Sequence, residues 1–142
     1  MSEHDSLALP ELIQRRFLDS SEEPTNPKDT VGAKKAPLRL VPAALVIGVS
    51  EVMADGGEKY GPFNWRKESI GYSTYLEAIE RHLLALREGQ DCSEDSGHHH
   101  LKAIGANVAI LLDAMALGKV VDDRSVGPAA DLLRELDHSD QS

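Results

Sequence analysis

Residues 74–107 read TYLEAIERHLLALREGQDCSEDSGHHHLKAIGAN, and this stretch decides the fold because it holds two helices and the loop between them. Thr74 followed three residues later by Glu77 fits a capping box, which predicts a helix start. Leucine and isoleucine then recur every three or four residues until Gly89, a residue type that ends helices. A second amphipathic segment begins near Asp95 or Ser96. Two such helices joined by a short loop predict an antiparallel helical hairpin.

Polar side chains that can hold a metal ion or a phosphate are dense in the same stretch. They are expected to line one edge of the hairpin, beside its apolar core. This arrangement is typical of a binding or catalytic site. The side chains are Glu77, Glu80, Arg81, His82, Glu88, Asp91, Asp95, His100 and Asn107.

A third helix precedes the hairpin. Pro42 suits a first helical turn, and an apolar seam follows until Gly56 and Gly57. We therefore predict helices near residues 42–55, 74–88 and 97–117. Aromatic residues make up only 4% of the chain and strand-like alternation is absent from the sequence, so the core should be aliphatic and helical. The predicted fold is all-α: a small helical bundle with a central antiparallel hairpin and an extended N-terminal arm.

The chain is predicted to divide into three parts. Residues 1–25 form an accessory segment and linker, with a short helix near residues 6–18. Residues 26–124 form the helical domain that carries the polar groups. Residues 125–142 hold a short helix and a polar tail.

The composition of the chain argues against several classes of function and location. The 142-residue chain has a formal net charge of −9, which argues against stable binding to nucleic acid because the phosphates would be repelled. Its single cysteine, Cys92, excludes an internal disulfide and suits a reducing compartment. The N-terminus does not resemble a signal peptide, and the apolar run at residues 40–49 is too short to span a bilayer. We expect a cytoplasmic protein without a membrane partner.

Two basic segments stand out in this acidic chain. Residues 26–39 include Lys34 and Lys35, and read either as a solvated loop or as an arm that brings cations to an anionic ligand. Residues 58–67, EKYGPFNWRK, interleave aromatic rings with cations, which suits a flat ligand that carries phosphates. The alternative is that these rings plug the end of the helical core.

Carboxylates in the hairpin suggest a hard metal ion. Glu77 and Glu80 form an ExxE pair, and residues 88–91 read ExxD, a ligand type suited to Mg²⁺ or Mn²⁺ acting on a phosphate ester. Helix capping by Glu77 and solvent exposure of Glu80 are the plain alternatives. Glu51 and Asp55 share a helix face and become candidate ligands if they face the hairpin. Of residues 98–100, all histidine, the last is expected to point inward.

A set of short motifs, in order along residues 26–124, resembles the bacteriophage dATP/dGTP diphosphohydrolase family. The resemblance implies a small helical viral protein, related to MazG-like pyrophosphohydrolases, that cuts dATP or dGTP to the monophosphate and pyrophosphate in the bacterial cytoplasm. The MazG-like pattern has its ExxD on a helix, whereas the ExxD of this chain falls in or beside a loop. The second histidine that the resemblance to the phage family implies near Ala103 is absent. The motifs are Asn26-Pro27-Lys28-Asp29, Lys59-Tyr60-Gly61, Asn64-Trp65-Arg66, Tyr75, Ala78, Arg81-His82, Asp91, Ser96-Gly97, His100, Leu111-Leu112-Asp113 and Asp122-Asp123-Arg124.

The site prediction combines these residues. Asp91 and His82 are the predicted catalytic residues, with Mg²⁺ or Mn²⁺ as cofactor and a purine deoxynucleotide as substrate. The predicted metal ligands are Glu77, Glu80, Asp91, Asp95 and His100. The predicted substrate-binding residues are Lys34, Lys35, Lys59, Tyr60, Asn64, Trp65, Arg66, Arg81 and Asn107, with Tyr60 or Trp65 stacking on the purine.

The sequence also suggests how the protein assembles and which other functions it could have. Small residues on the last core helix, Ala103, Gly105, Ala106 and Ala109, allow close helix approach and favour a homo-oligomer, a dimer or a tetramer. The alternative function is a helical module that captures a nucleotide without hydrolysing it. A protein-interaction module is a third interpretation, but it leaves the basic and aromatic cluster unexplained.

Overall fold

A computed structural model describes residues 26–139 of the chain. The expected helix at residues 6–18 lies outside this range. Within it the helices are α1 Pro27–Gly32, α2 Ala43–Tyr60, α3 Asn64–Lys67, α4 Tyr72–Arg87, α5 His100–Ala116 and α6 Ala129–Ser139, with a 3₁₀ turn at Leu38–Leu40. The strands are β1 Ile70–Gly71 and β2 Val120–Val121.

The all-α prediction is confirmed. The strands of the described region are two residues each and pair in parallel, Ile70 with Val120 and Gly71 with Val121. Between residues 26 and 139, no helix combines the length and apolar character needed to cross a membrane.

The chain divides into two compact units, residues 1–42 and residues 43–142. In the described part of the first unit, the side chain of Asn26 accepts a hydrogen bond from the Lys28 amide at 2.9 Å and caps α1. Pro27 occupies the first turn, where its missing N–H is not needed. The segment read as a loop or an arm therefore contains a short helix, and Lys34 and Lys35 follow it as exposed residues.

In the second unit, α5 is the central helix and packs against both α4 and α2. Because β1 directly precedes α4 and β2 closely follows α5, their pairing brings the start of α4 to the end of α5. The two helices thus run antiparallel, as the hairpin requires. The buried face of α5 consists mainly of small and aliphatic side chains: His100, Ala103, Ala106, Leu111 and Ala114.

The predicted capping box at Thr74 is wrong. Helix α4 begins two residues earlier, at Tyr72, and its N-cap residue, Gly71, makes no side-chain hydrogen bond. The carboxylate of Asp123, just after β2, accepts the Ser73 backbone N–H at 2.8 Å and also the Ser73 hydroxyl. A residue distant in sequence therefore satisfies the exposed amide that Thr74 was expected to serve.

Two other helix boundaries differ from the prediction. Helix α2 continues through Gly56 and Gly57 and ends at Tyr60, before Gly61, which has a φ of +87°. Two glycines lower helix propensity without ending a helix that is packed against a neighbour. Helix α5 begins at His100 because the preceding loop is held by its own bonds, including Ser93 N–H to the His98 carbonyl at 2.9 Å.

Substitution by alanine should have opposite effects at Gly105, which packs against α2, and at Gly56, which has open space around it. A Cβ at Gly105 would lie 2.9 Å from Val49 Cγ2 and 3.4 Å from Leu45 Cδ1, whereas a Cβ at Gly56 meets nothing within 4 Å. Gly105→Ala should destabilise by about 1–2 kcal/mol, because overpacking outweighs the gain in helix propensity. Gly56→Ala should stabilise by up to about 1 kcal/mol. Urea denaturation measures both, and equal effects at the two sites would contradict the packing.

Candidate active site

A pair of histidines joins the two helices of the hairpin near its loop. His82 of α4 and His100 of α5 face each other with their Nδ1 atoms 2.8 Å apart and their ring centroids 5.1 Å apart. His100 is buried, with 5% of its surface exposed, and its Nε2 lies 3.2 Å from Oε1 of Gln90. The prediction that His100 points inward is confirmed. The three side chains form a continuous chain of hydrogen bonds from the loop into the hairpin.

These contacts assign the protons on both rings. The amide oxygen of Gln90 only accepts, so His100 carries its proton on Nε2 and its Nδ1 accepts when the ring is neutral. His82 must then donate from Nδ1, which leaves its Nε2 with a free lone pair. A histidine whose tautomer is fixed in this way presents a base at one defined atom.

The surroundings keep His82 neutral. Burial, then the neighbouring His100 ring, then the charge of Arg81 hold the pKa of His82 below its ordinary value of 6.5. A neutral imidazole is the form that accepts a proton from water. The geometry and the charge state therefore both suit a general base.

The predicted carboxylate ligands Glu77, Glu80, Asp91 and Asp95 are all exposed. Glu77 and Glu80 lie one turn apart on α4, so their carboxylates share a face. Asp91 contributes through its backbone, since its carbonyl accepts the His100 amide at 2.8 Å.

The described part of the chain contains no grouping of three His, Cys, Asp or Glu side chains that could hold a metal ion. Both ring nitrogens of His100 already have partners within the chain. Mg²⁺, however, is commonly held by one or two carboxylates together with substrate phosphates and water. The Glu77 and Glu80 pair fits that requirement, and His100 does not.

Glu51 and Asp55 do face the hairpin, which was the condition for their being ligands. Each of them pairs with another side chain and is not open to a ligand. Glu51 forms a salt bridge with Lys102 of α5, and Asp55 Oδ2 lies 2.5 Å from Nε2 of His98 in the loop before α5. These contacts tie α2 to α5 and to its preceding loop, which indicates a structural role.

Trp65 and Arg66 are both bound to one carboxylate of the central helix. The Trp65 indole donates to Asp113 Oδ2 at 2.7 Å, and Arg66 donates to both carboxylate oxygens at 2.8 and 2.9 Å. Only 7% of the Trp65 surface is exposed, against 73% for Tyr60. The geometry favours the core-plug interpretation for Trp65. It leaves Tyr60 as the ring of the predicted pair that can meet a ligand.

Tyr60 also lies beside the hairpin. Burial and then the proximity of Tyr60 raise the pKa of Tyr75, a residue in the first turns of α4. Tyr75 precedes Glu77 by two positions, so the exposed Tyr60 ring stands near the helix that carries the carboxylate pair. Lys59 and Arg81 are exposed as well.

The remaining predicted substrate-binding residues differ in how freely their side chains could contact a ligand. Asn107 donates its side-chain amide to the Ala103 carbonyl of its own helix at 2.8 Å, and Asn64 is half-buried. Lys34 and Lys35 belong to the first unit.

Phe63 was not among the predicted site residues. It adopts a left-handed backbone conformation, with φ 56° and ψ 30°, and 53% of its surface is exposed. The Arg66 guanidinium carbon lies 4.3 Å from the centre of its ring. The only sequence signal at this position is the preceding Gly61-Pro62 turn, which does not say where the next ring points.

The carboxylate of Asp113 should make the stability of the fold decrease at acidic pH. Hydrogen bonds from Arg66 and then Trp65 hold the pKa of Asp113 below 3.8. A lowered pKa in the folded state means that this carboxylate stabilises the fold above pH 3.8, and that the contribution is lost as the pH falls through the folded-state value. Asp113→Asn should therefore lower the urea midpoint at pH 6, and the difference from the parent should shrink as the pH falls below 3.8. A difference in urea midpoint between the two proteins that stays constant with pH would contradict the assignment.

Comparison with known proteins agrees with the family suggested by the motifs. Residues 25–124 match the model of the family described as dATP/dGTP diphosphohydrolase, N-terminal. A protein of Salmonella phage PMBT28, described as dATP/dGTP diphosphohydrolase, is 30% identical over 101 residues, which cover 71% of this chain and 34% of that relative. The chain thus spans about a third of the length of this relative. No solved structure matches the chain.

The family match covers well over half of the chain and includes the histidine pair, the carboxylate pair and the aromatic segment. The chain therefore belongs to the dATP/dGTP diphosphohydrolase N-terminal family.

Proposed function

We propose that this protein hydrolyses dATP or dGTP to the nucleoside monophosphate and pyrophosphate, with Mg²⁺ or Mn²⁺ as cofactor. The observation that carries the proposal is the free Nε2 of His82, presented by the Gln90–His100 chain in a member of this family. The name of the phage relative supports the choice of substrate.

Substrate binding is proposed for the exposed cations around the hairpin. Lys59 and Arg81 are exposed and carry positive charge in a chain whose formal net charge is −9. A triphosphate needs such local cations, because the rest of the surface repels it. Tyr60, exposed and within electrostatic reach of Tyr75 on α4, is a candidate contact for the substrate. The predicted role of Lys34 and Lys35 in substrate binding stays a prediction.

Glu77 and Glu80 would hold the metal, with Asp91 and Asp95 as further candidates in the neighbouring loop. When bound, such an ion neutralises phosphate charge and lowers the pKa of coordinated water. The exposure of all four carboxylates is compatible with a site completed by substrate.

In the proposed reaction, Nε2 of His82 accepts a proton from a water molecule that attacks the α-phosphorus. A new bond forms between this phosphorus and the water oxygen, and the bond to the bridging oxygen breaks. Pyrophosphate leaves and takes the electron pair. Gln90 and His100 act as positioning residues, because they hold the proton on Nδ1 of His82.

The direct test is to incubate the purified chain with each of the four deoxynucleoside triphosphates and Mg²⁺ or Mn²⁺ and to measure pyrophosphate. We expect pyrophosphate to be released from dATP or dGTP, and not to be released without metal. The Glu80→Gln variant should lose most of this activity but still bind the nucleotide. Orthophosphate as the product would move the attack to another phosphorus. Tight nucleotide binding without turnover would instead favour the capturing module.

We also propose that the protein is a homo-oligomer. The small residues Ala103 and Ala106 are buried within the chain itself, and Gly105 is approached by α2, so they serve internal packing. Other residues of α5 are open, with Leu101, Val108, Leu112 and Met115 between 41% and 60% exposed. They are spaced seven, four and three residues apart, which places them along one side of the helix, the pattern of a helix-pairing seam. A second copy would cover this seam. Action in the bacterial cytoplasm stays a prediction.

A further inference from the structure

Phe63 combines a strained backbone with an exposed ring. Its φ of 56° lies in the left-handed region, which disfavours any residue with a Cβ and most of all a bulky one. Among the described residues other than glycine, it alone has a positive φ. A glycine would adopt this conformation without strain. The side chain, and not the backbone, must therefore account for phenylalanine here.

The strain is maintained by the residues that follow. Trp65 and Arg66 are fixed by Asp113 of α5, so the short helix α3 has one defined position. Phe63 is the N-cap residue of that helix, and its carbonyl accepts the Arg66 amide at 3.0 Å. The anchored helix thus holds Phe63 in place even though the backbone is unfavourable.

The ring of Phe63 does little to fill the core. It is 53% exposed, whereas Trp65, whose ring centroid lies 5.5 Å away, is 7% exposed. The Arg66 guanidinium lies over the Phe63 ring at 4.3 Å. A ring with a cation over it and much of its surface in solvent can take a second flat aromatic group by stacking.

We propose that Phe63 is the stacking residue of a purine subsite, and that its ring meets the base of the nucleotide. The inference rests on the proposed function for the identity of the nucleotide, and names the position that favours purines. A purine offers a larger stacking surface than a pyrimidine, so this contact favours dATP and dGTP. Tyr60, exposed and three positions earlier, is the competing ring.

Trp65, the single tryptophan, gives a direct readout because its ring adjoins Phe63. Its fluorescence is followed while deoxyadenosine is added, a probe without phosphate, so that neither metal nor hydrolysis enters the measurement. Phe63→Gly should weaken deoxyadenosine binding about 5- to 150-fold, the range expected for one stacked base. The same variant should raise the urea midpoint, since the backbone strain is relieved. Phe63→Tyr should keep the affinity, and Phe63→Asn, which tolerates the left-handed region, should lose it.

The combination of higher stability and weaker binding separates this role from a structural one. Lower stability in Phe63→Gly, or unchanged affinity for deoxyadenosine, would overturn the proposal. So would a Tyr60→Leu variant that loses affinity while Phe63→Gly keeps it. With dATP and dTTP as substrates, Phe63→Gly should reduce the preference for dATP in kcat/KM. Purine binding that depends on Phe63 without any pyrophosphate release would support the subsite and refute the hydrolysis.

Discussion

His82→Gln should lower the rate of pyrophosphate release from dATP by about 100- to 10,000-fold, the range expected when a general base is removed. Glutamine retains a polar side chain but offers no basic nitrogen. The fold should remain, because His82 is only partly buried and Gln can still hydrogen-bond to His100. The measurement is single-turnover pyrophosphate release with saturating metal, alongside nucleotide affinity.

His98→Gln is the matched control for this experiment. His98 also sits at the hairpin and pairs with a side chain of another helix, Asp55, but it is not part of the chain that runs from Gln90 to His82. Its loss should change the rate by no more than a few fold. Equal losses in the two variants, or full activity in His82→Gln, would contradict the base assignment.

The positioning role of Gln90 can be examined separately. Gln90→Leu removes the acceptor that keeps the His100 proton on Nε2, so both rings become free to adopt the other tautomer. The rate should fall while nucleotide affinity stays close to that of the parent. A change in affinity alone would place Gln90 in substrate binding.

The sequence predicted the all-α fold because aliphatic seams at helical spacing are a local signal. It failed at the start of α4, since the carboxylate that satisfies Ser73 comes from Asp123, 50 residues later in the chain. The predicted end of α2 at Gly56 and Gly57 is too early, because packing against α5 outweighs the low helix propensity of glycine.

The candidate site likewise combines local features that the sequence shows with distant contacts that it does not show. The sequence indicated that residues 58–67 interleave aromatic and basic groups, but not which ring faces solvent. Trp65 is buried because its partner is Asp113, 48 residues away. Phe63 is exposed because the anchored helix α3 imposes a backbone conformation that no propensity for phenylalanine would predict. The tautomers of His82 and His100 likewise depend on contacts between separate segments.

Leu112→Asp should convert the proposed homo-oligomer into monomers. Leu112 is 59% exposed in the single chain and belongs to the open seam of α5, with Leu101 and Val108 on the same face. In a symmetric dimer each substitution counts twice, so losing the burial of this 59% exposed side chain removes roughly 2–4 kcal/mol of association free energy. This corresponds to a dissociation constant about 30- to 700-fold higher.

Val126→Asp is the control, because Val126 is fully exposed and lies outside the seam. Light scattering over a range of protein concentrations gives the mass of the parent and of both variants, and circular dichroism confirms that helix content is kept. The expected result is a monomer for Leu112→Asp and the parental mass for Val126→Asp. An unchanged mass in Leu112→Asp would place the contact between copies elsewhere. A parent that is monomeric at every concentration would refute the oligomer, and the open face of α5 would then need another partner.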